Sequence, residues 1–209
     1  MAAPRRKPAP SKTAGKSVAA APVVDRALAM ADDVGWDNLS LRDLADDLGF
    51  TPAELAALFK DKDAIADAWF TRARDAMLAA SPRGFARQPV KDRLNILILR
   101  WFDTLAPHRG VTAQMLGAKM WLFHPHHYVP MVFDLSRLIQ WLRDAAGMTA
   151  GGRQRQIEEI GLTVLFLAVL RRWCRDGSDG QTETKSYLAK RLAQADGLAA
   201  KWFSGTRAV

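Results

Sequence analysis

The three histidines in the segment HPHHY are side chains whose type could do chemistry. His124, His126 and His127 could offer nitrogen ligands to zinc, which needs three or four ligands at workable spacing. The adjacent side chains of His126 and His127 tend to point apart, and neither a cysteine nor a carboxylate pair stands beside them. We therefore predict surface or ligand-facing histidines at a break between helices, with no metal site and no cofactor.

Enzymatic chemistry has little support in this sequence. We find no glycine-rich phosphate loop, no nucleophile elbow and no carboxylate pair in an apolar frame. The segment DGSDG, residues 176–180, lacks the oxygen series of a calcium loop and predicts a turn. Cys174 has arginine neighbours that could lower its pKa, although a buried cysteine is the simpler interpretation. We predict a non-enzyme, and the single cysteine indicates a reducing, cytoplasmic compartment.

The segment LGFTPAELAALFKDKDAI, residues 48–65, has the pattern of a helix that reads DNA. Thr51, Pro52 and Glu54 form a helix start with a capping box, and the outward positions fall on alanines. We expect the partner to be double-stranded DNA. The predicted contacts are Arg5, Arg6, Lys7, Lys12, Lys16, Ser40, Arg42, Thr51, Pro52, Ala53, Ala56, Ala57, Lys60 and Lys62.

Charge is distributed unevenly along the chain, whose net charge is +8. Residues 1–20 carry five bases and no acid, whereas residues 21–64 carry four bases against ten acids, a net −6. We expect residues 21–64 to form the DNA-binding headpiece, and its negative charge is repelled by phosphates. A disordered basic arm over residues 1–20 would have to compensate for this repulsion. A targeting segment at residues 1–20 is the alternative.

Helical periodicity dominates the remainder, and no alternating strand pattern occurs. We predict an all-α fold with domains at 1–20 (arm), 21–64 (three-helix headpiece) and 65–209 (six-helix body). The nine helices are expected at about 23–34, 41–48, 52–58, 60–79, 90–106, 111–123, 131–146, 154–175 and 183–203. The longest apolar run, residues 162–170, is too short for a membrane span.

Large apolar side chains are concentrated on the fifth to eighth helices. They could line a cavity for a small apolar ligand, including a lipid, or they could simply form the core. The predicted ligand-binding residues are Trp101, Phe102, Leu105, Met115, Met120, Trp121, Phe123, His124, Phe133, Leu138, Trp141 and Phe166.

The last two helices are candidates for a homodimer interface, because the eighth is apolar nearly all round. Burial of these residues within one subunit is the alternative. The predicted interface residues are Leu162, Leu165, Val169, Trp173, Leu188, Leu192, Leu198 and Trp202.

The segment ALAMADDVGWDNLSLRDLADDLGFTPAELAALFKDKDAI resembles the N-terminal region of the tetracycline-repressor (TetR) family of bacterial regulators. The order of elements carries the resemblance: helix, Gly-aromatic, Ser-Leu-Arg-Asp-Leu-Ala, glycine turn, threonine-capped helix, Phe, then Lys-Asp-Ala. The resemblance implies a helix-turn-helix headpiece on a ligand-binding body that dimerises through its last two helices. In that family the third helix usually carries a tyrosine, where this chain has Ala56, Ala57 and Leu58.

A second resemblance is to the ubiquinone-biosynthesis lipid-binding proteins, which share the TetR fold. It lies in GW at 35–36, in LAPHRG and in LRRWCRDGSDGQTETKSYLAKRL. We therefore predict a ligand-responsive, DNA-binding transcriptional regulator that acts as a homodimer. The alternative is an isoprenoid- or lipid-binding protein that does not use its headpiece on DNA.

Overall fold

The described part of the chain is built from α-helices alone, as predicted. This computed structural model describes residues 12–119 and 125–204. For residues 12–19, 119, 125–131, 133 and 198–204 it describes the backbone only. These ranges form nine α-helices and no β-strand. The helices are α1 (Lys12–Val34), α2 (Leu41–Leu48), α3 (Pro52–Leu58), α4 (Lys62–Leu78), α5 (Val90–Leu105), α6 (Arg109–Lys119), α7 (Pro125–Ala145), α8 (Gly152–Trp173) and α9 (Thr182–Ser204).

The chain divides into two compact units, residues 1–69 and 70–209, and the division falls inside α4. Within the described part of the chain, no helix is long and apolar enough to cross a membrane.

Two helix starts differ from the sequence-based prediction. α1 begins at Lys12 rather than near residue 23, so the expected disordered arm is helical from Lys12 onward, and Pro22 lies inside the helix. The sequence favoured a helix start after Pro22, because proline lacks a backbone N–H donor and disfavours helical geometry in the preceding residue. α7 begins at Pro125 rather than near residue 131, since proline is tolerated in a first helical turn.

The first unit is organised around a small apolar core to which α1, α2, α3 and α4 all contribute. Its fully buried side chains include Leu28, Trp36, Leu44 and Ile65. α1 ends at Val34, and Gly35, with a positive φ of 85°, turns the chain toward Trp36. A helix of seven or eight residues is unstable alone in water, so burial against this core is what allows α2 and α3 to persist.

The second unit packs α5 against α7 and α9, while α8 contacts α7 and α9. Three short 3₁₀ turns connect these helices, at Phe85–Arg87, Ala106–His108 and Asp179–Gln181.

The connection between α8 and α9 is fixed by a buried carboxylate. Asp176 accepts hydrogen bonds from the backbone N–H and hydroxyl of both Ser178 (2.8 and 2.5 Å) and Thr184 (2.8 and 2.5 Å). Burial opposes ionisation of Asp176, but these hydrogen bonds outweigh it and hold the pKa of the carboxyl well below its usual range. The segment DGSDG is therefore a structural turn, as predicted.

Gln181 links this turn to two helices. Its φ of 60° is unusual for a residue other than glycine. Its Oε1 accepts from Trp173 Nε1 (2.5 Å) in α8, and its Nε2 donates to Asp103 Oδ1 (3.0 Å) in α5. A buried amide with both ends hydrogen-bonded stabilises one arrangement of the three elements.

Candidate nucleic-acid interface

The link between α2 and α3 forms the turn of a helix-turn-helix. Ser40 caps α2 by accepting from the N–H of Asp43, and Gly49 ends that helix with a φ of 68°. Thr51 and Glu54 then form the predicted capping box: Glu54 N–H donates to Thr51 Oγ1 (3.3 Å), and Thr51 N–H donates to Glu54 Oε2 (2.8 Å). Two short helices joined by a three-residue turn are the arrangement that places a second helix in a DNA groove.

α3 has a buried face and an exposed face. Leu55 is buried in the first unit, as is Phe59, which caps the end of the helix. Ala53, Ala56 and Ala57 are all exposed. Positions i, i+3 and i+4 share one side of a helix, so the three alanines form a single surface, which we call the alanine face.

Arg42 at the start of α2 and Lys60 just after α3 are basic side chains that the first unit leaves exposed. Arg42 Nε lies 3.9 Å from Asp46 Oδ2, and Lys60 Nζ lies 3.7 Å from Asp61 Oδ2. Both side chains are about four-fifths exposed, at 83% and 79%. Such exposed pairs contribute little to stability, which leaves both cations accessible to phosphates.

The sequence predicts a DNA contact for Lys62, and the structure gives this residue a different role. Its ammonium donates to the backbone carbonyls of Trp36 (2.9 Å), Asp37 (3.2 Å) and Leu39 (3.5 Å). It also lies 5.5 Å from the centroid of the Trp36 ring. Lys62 therefore ties the start of α4 to the loop before α2. The correction has a tertiary cause, because residues 36–39 are far from Lys62 in sequence.

Arg26 and Asp47 form an ion pair that no sequence pattern indicated. The guanidinium of Arg26 in α1 donates from Nε to Oδ2 and from Nη2 to Oδ1 of Asp47 in α2, each at 2.5 Å. The hydrogen bond from Arg26 holds the pKa of Asp47 below its usual range. The pair joins α1 to α2 and occupies one of the four bases of residues 21–64.

The arm residues Arg5, Arg6 and Lys7 lie outside the described residues, as do the side chains of Lys12 and Lys16. Their role in DNA contact stays a prediction.

The second unit brings together part of the predicted ligand-binding set in an aromatic cluster. Trp101 and Phe102 of α5 meet Phe166 of α8 at centroid distances of 5.1 and 5.7 Å, and Phe102 also lies 5.3 Å from Trp173. Leu105 and Met115 are buried in the same unit. These rings pack directly on one another, in offset and edge-on contacts typical of aromatic cores.

Trp141 does not belong to that cluster. The inward side of α7 carries Ile139 and Leu142, both buried, whereas the side chain of Trp141 is 53% exposed. At about 100° per residue, Trp141 lies on the opposite side of the helix from Ile139. Leu138 is half-buried. Met120, Trp121, Phe123 and His124 lie outside the described residues, as does the side chain of Phe133.

Two depressions on the described surface of this unit are lined by none of the predicted ligand residues. An open cleft of about 430 Å³ is lined by Arg172, Thr182, Glu183, Ser186, Tyr187 and Lys190. A smaller one of about 150 Å³ is lined by Val132, Leu135, Ser136, Ile139, Glu159 and Thr163.

The predicted dimer residues of α8 and α9 require correction. Among them, five are buried within one subunit, which leaves them little surface for a partner: Leu162, Val169, Trp173, Leu188 and Leu192. Leu165 is half-buried, and the side chains of Leu198 and Trp202 lie outside the description. Because α8 is apolar nearly all round between residues 160 and 170, its sequence could not indicate which side faces inward.

The outward side of α8 carries a second apolar row. Ile157, Ile160, Val164 and Leu167 are 55%, 65%, 64% and 44% exposed. Their spacing of three, four and three residues places them along one side of the helix, and we call them the α8 outer row. The spacing is visible in the sequence, but apolar residues on the other sides of α8 gave no reason to choose this row as the exposed one. Side chains of this size are costly to leave in water, and a continuous exposed row of them is unusual on a free surface.

Buried Arg143 fixes α8 against α7 within this unit. Its Nε donates to Glu158 Oε2 at 3.1 Å, and its Nη2 donates to the carbonyl of Ala150. A buried guanidinium needs such partners.

Cys174 differs from a reactive thiol. Burial raises the pKa of its thiol and outweighs the opposing influence of Arg175. The thiol therefore stays protonated near neutral pH, contrary to the lowered pKa that its arginine neighbours suggested. Among the described residues, no group of three His, Cys, Asp or Glu side chains is arranged to hold a metal ion.

Comparison with known proteins identifies the family. The chain is 34% identical to a TetR transcriptional regulator from Nitrosomonas europaea ATCC 19718, with 86% of this chain and 98% of that chain covered and a TM-score of 0.77. The fold is shared with a TetR family transcriptional regulator, PfmR, from Thermus thermophilus (18% identity, 82% and 97% covered, TM-score 0.55). It is also shared with a TetR transcriptional regulator from Rhodococcus sp. RHA1 (14% identity, 88% of this chain and 96% of that chain covered, TM-score 0.60).

Neither a scan against protein-family models nor a search of curated proteins gives a significant match. The similarity to the Nitrosomonas regulator extends over nearly all of that protein and includes both units. The chain therefore belongs to the TetR family of transcriptional regulators. The lipid-binding alternative is not favoured, because the similar solved structures are of regulators.

Replacing the two neighbouring lysines separates the structural from the exposed cation. We expect Lys62→Met to lower the free energy of unfolding by about 1–3 kcal/mol, because three carbonyls lose a charged donor. Lys60→Met, the matched control, should change it by less than about 0.5 kcal/mol. Urea unfolding of the full chain measures both. Equal effects of the two substitutions would contradict the role assigned to Lys62.

Proposed function

We propose that this regulator binds operator DNA as a homodimer through the alanine face of α3 and releases or engages it in response to a small apolar ligand. The observation that carries the proposal is the capped α2–α3 helix-turn-helix with its outward face exposed. A dimer presents two such headpieces, and their spacing must match two half-sites one helical turn apart. That match fixes the separation of the two half-sites.

Electrostatics requires additional positive charge for this binding. Residues 21–64 carry a net −6, and the structure engages Lys62 and Arg26 internally. We therefore assign phosphate contact to Arg42, Lys60 and the N-terminal bases, whose charge can attract the backbone beside the headpiece.

Neutralising the arm should weaken DNA binding and its salt dependence. We expect the triple variant Arg5→Gln, Arg6→Gln, Lys7→Gln to make the slope of log K against log[salt] shallower by about 0.9 for each phosphate that the arm no longer neutralises. Fluorescence anisotropy with a duplex selected by the full-length chain from a random library measures this slope.

Two exposed arginines of the second unit supply a control of similar charge change. Arg83→Gln with Arg87→Gln should leave the slope unchanged. A triple variant with the slope of the parent chain would show that Arg5, Arg6 and Lys7 make no phosphate contact. Full-length protein that retains no duplex from the library would reject operator binding itself.

Dimerisation is assigned to the α8 outer row. Four large apolar side chains per subunit, each about half exposed, would be covered by the same four side chains of a second copy across a two-fold axis. Covering the remaining exposed area is worth about 1 kcal/mol for each side chain. Eight such side chains give a substantial apolar centre for an interface.

A charge placed in the row should separate the subunits. We expect Val164→Glu to give a monomer at micromolar concentration, because pairing two carboxylates across the axis in an apolar interface is strongly unfavourable. Ala86→Glu adds the same charge at an exposed position outside α8 and α9 and should remain dimeric. Sedimentation velocity distinguishes the species. A dimeric Val164→Glu variant would locate the interface elsewhere.

The ligand proposal concerns the aromatic cluster of the second unit. Trp101, Phe102 and Phe166 supply apolar ring surface, and an apolar molecule that separates these rings would alter how α5 and α8 pack. A ligand that binds one packing better shifts the population by its differential affinity. The α8 outer row lies on the same helix as Phe166, so a change in how α8 packs would also move the row. Ligand binding is thereby connected to the geometry of the dimer.

Fatty-acyl and isoprenoid compounds are the first ligands to test. We expect one class to raise the thermal midpoint in proportion to the logarithm of its concentration, with about 2.7 kcal/mol of stabilisation at one hundred times Kd. Trp141→Ala, which alters an exposed tryptophan outside the cluster, should respond as the parent chain does. An unchanged midpoint with every compound at high concentration would exclude apolar ligands of these classes.

A further inference from the structure

The outward surface of α3 offers DNA only methyl groups. The side chains of Ala53, Ala56 and Ala57 are exposed and lie on one side of the helix, and each ends at a single carbon. None of the three can donate or accept a hydrogen bond. Whatever this face reads, it reads by apolar contact.

The polar side chains at the start of α3 are engaged in its cap. Glu54 Oε2 accepts from the backbone N–H and from the hydroxyl of Thr51, each at 2.8 Å. The hydrogen bond from the Thr51 backbone lowers the pKa of Glu54, so that the cap holds a carboxylate. Turning Glu54 toward a cytosine amino group would break both bonds and expose the first turn of a seven-residue helix.

The major groove contains one apolar feature that distinguishes its base pairs. Adenine, guanine and cytosine present donors and acceptors there, whereas thymine adds a 5-methyl group. A face of alanines is also low in profile, so the helix backbone can approach the base edges more closely than long side chains would allow. Short methyl side chains and thymine methyls are therefore complementary in chemistry and in distance.

We infer that the alanine face recognises the 5-methyl groups of pyrimidines, so that each operator half-site presents thymine to Ala53, Ala56 and Ala57. This inference rests on the proposed operator binding and specifies what the recognition helix reads. Because the face has no polar group, it distinguishes bases by the methyl and not by the Watson–Crick partner. 5-Methylcytosine paired with guanine is then equivalent to thymine at these positions.

Base analogues in the selected duplex test the inference directly. At each thymine of a half-site, the duplex is prepared with thymine, uracil, 5-methylcytosine or cytosine, with the matching purine opposite. Removing one methyl from an apolar contact should cost about fourfold in Kd. The expected order is therefore thymine equal to 5-methylcytosine, both about fourfold tighter than uracil and cytosine, measured by competition anisotropy with the full-length chain.

A double-mutant cycle separates contact from duplex shape. Ala53→Gly, Ala56→Gly and Ala57→Gly each remove one methyl from the protein, and any general weakening of the helix affects all duplexes alike. For the alanine that contacts a given thymine, glycine should abolish the preference over uracil at that position. Lys60→Gln serves as the phosphate control and should weaken binding to every duplex by the same factor.

Several outcomes would overturn the inference while leaving operator binding intact. Uracil bound as tightly as thymine would show that the methyl is not read. A thymine preference that survives in all three glycine variants would assign it to duplex shape, and selected half-sites without thymine would exclude it outright. Failure to retain any duplex would instead reject the proposed operator binding, and this inference with it.

Discussion

The shortness of α3 is the constraint on which the headpiece depends. A helix of seven residues has too few internal hydrogen bonds to persist in water, so it must be held from outside. The Thr51–Glu54 capping box satisfies its first turn, and burial of Leu55 and Phe59 fixes its inner side. The outward alanines are available because these other residues hold the helix in place.

The same division of roles applies to the charged side chains. Lys62 holds the loop before α2, Arg26 joins α1 to α2, and Arg143 joins α7 to α8. A cation that satisfies buried carbonyls or a specific carboxylate contributes to the fold, and it is no longer available to a phosphate. In the headpiece, ten acids outnumber four bases, and two of those bases, Arg26 and Lys62, are engaged within the fold, so residues 21–64 need additional positive charge to approach DNA.

α8 combines the two functions proposed for the body. Its buried side chains Phe166 and Trp173 pack into the aromatic cluster, and the α8 outer row remains exposed. One helix therefore connects the apolar interior with the surface assigned to the partner subunit. A change in how these buried side chains pack would rotate or shift the α8 outer row, because protein interiors are close-packed and transmit strain. A ligand that changes the packing of the aromatic cluster would therefore change the position of the surface assigned to the dimer interface.

The sequence by itself determined the features that depend on neighbours within a few residues. The caps at Ser40 and Thr51, the turn at Gly49, the DGSDG turn and the helical class all follow from local hydrogen bonding and periodicity. The order of these local features along the chain was also sufficient to indicate the TetR family. Helix ends were harder to predict, as Pro22 and Pro125 show, because a proline signals a break without excluding a helix.

Only the tertiary structure decided which side of a helix is covered and which charges are engaged. Between residues 160 and 170 α8 is apolar nearly all round, so Leu162 and Val164 look alike in sequence until the rest of the unit covers one of them. Lys60 and Lys62 differ by two positions, yet the fold places only Lys62 near three carbonyls from residues 36–39. The physical reason is the same in both cases: burial and long-range pairing depend on what the rest of the chain brings alongside.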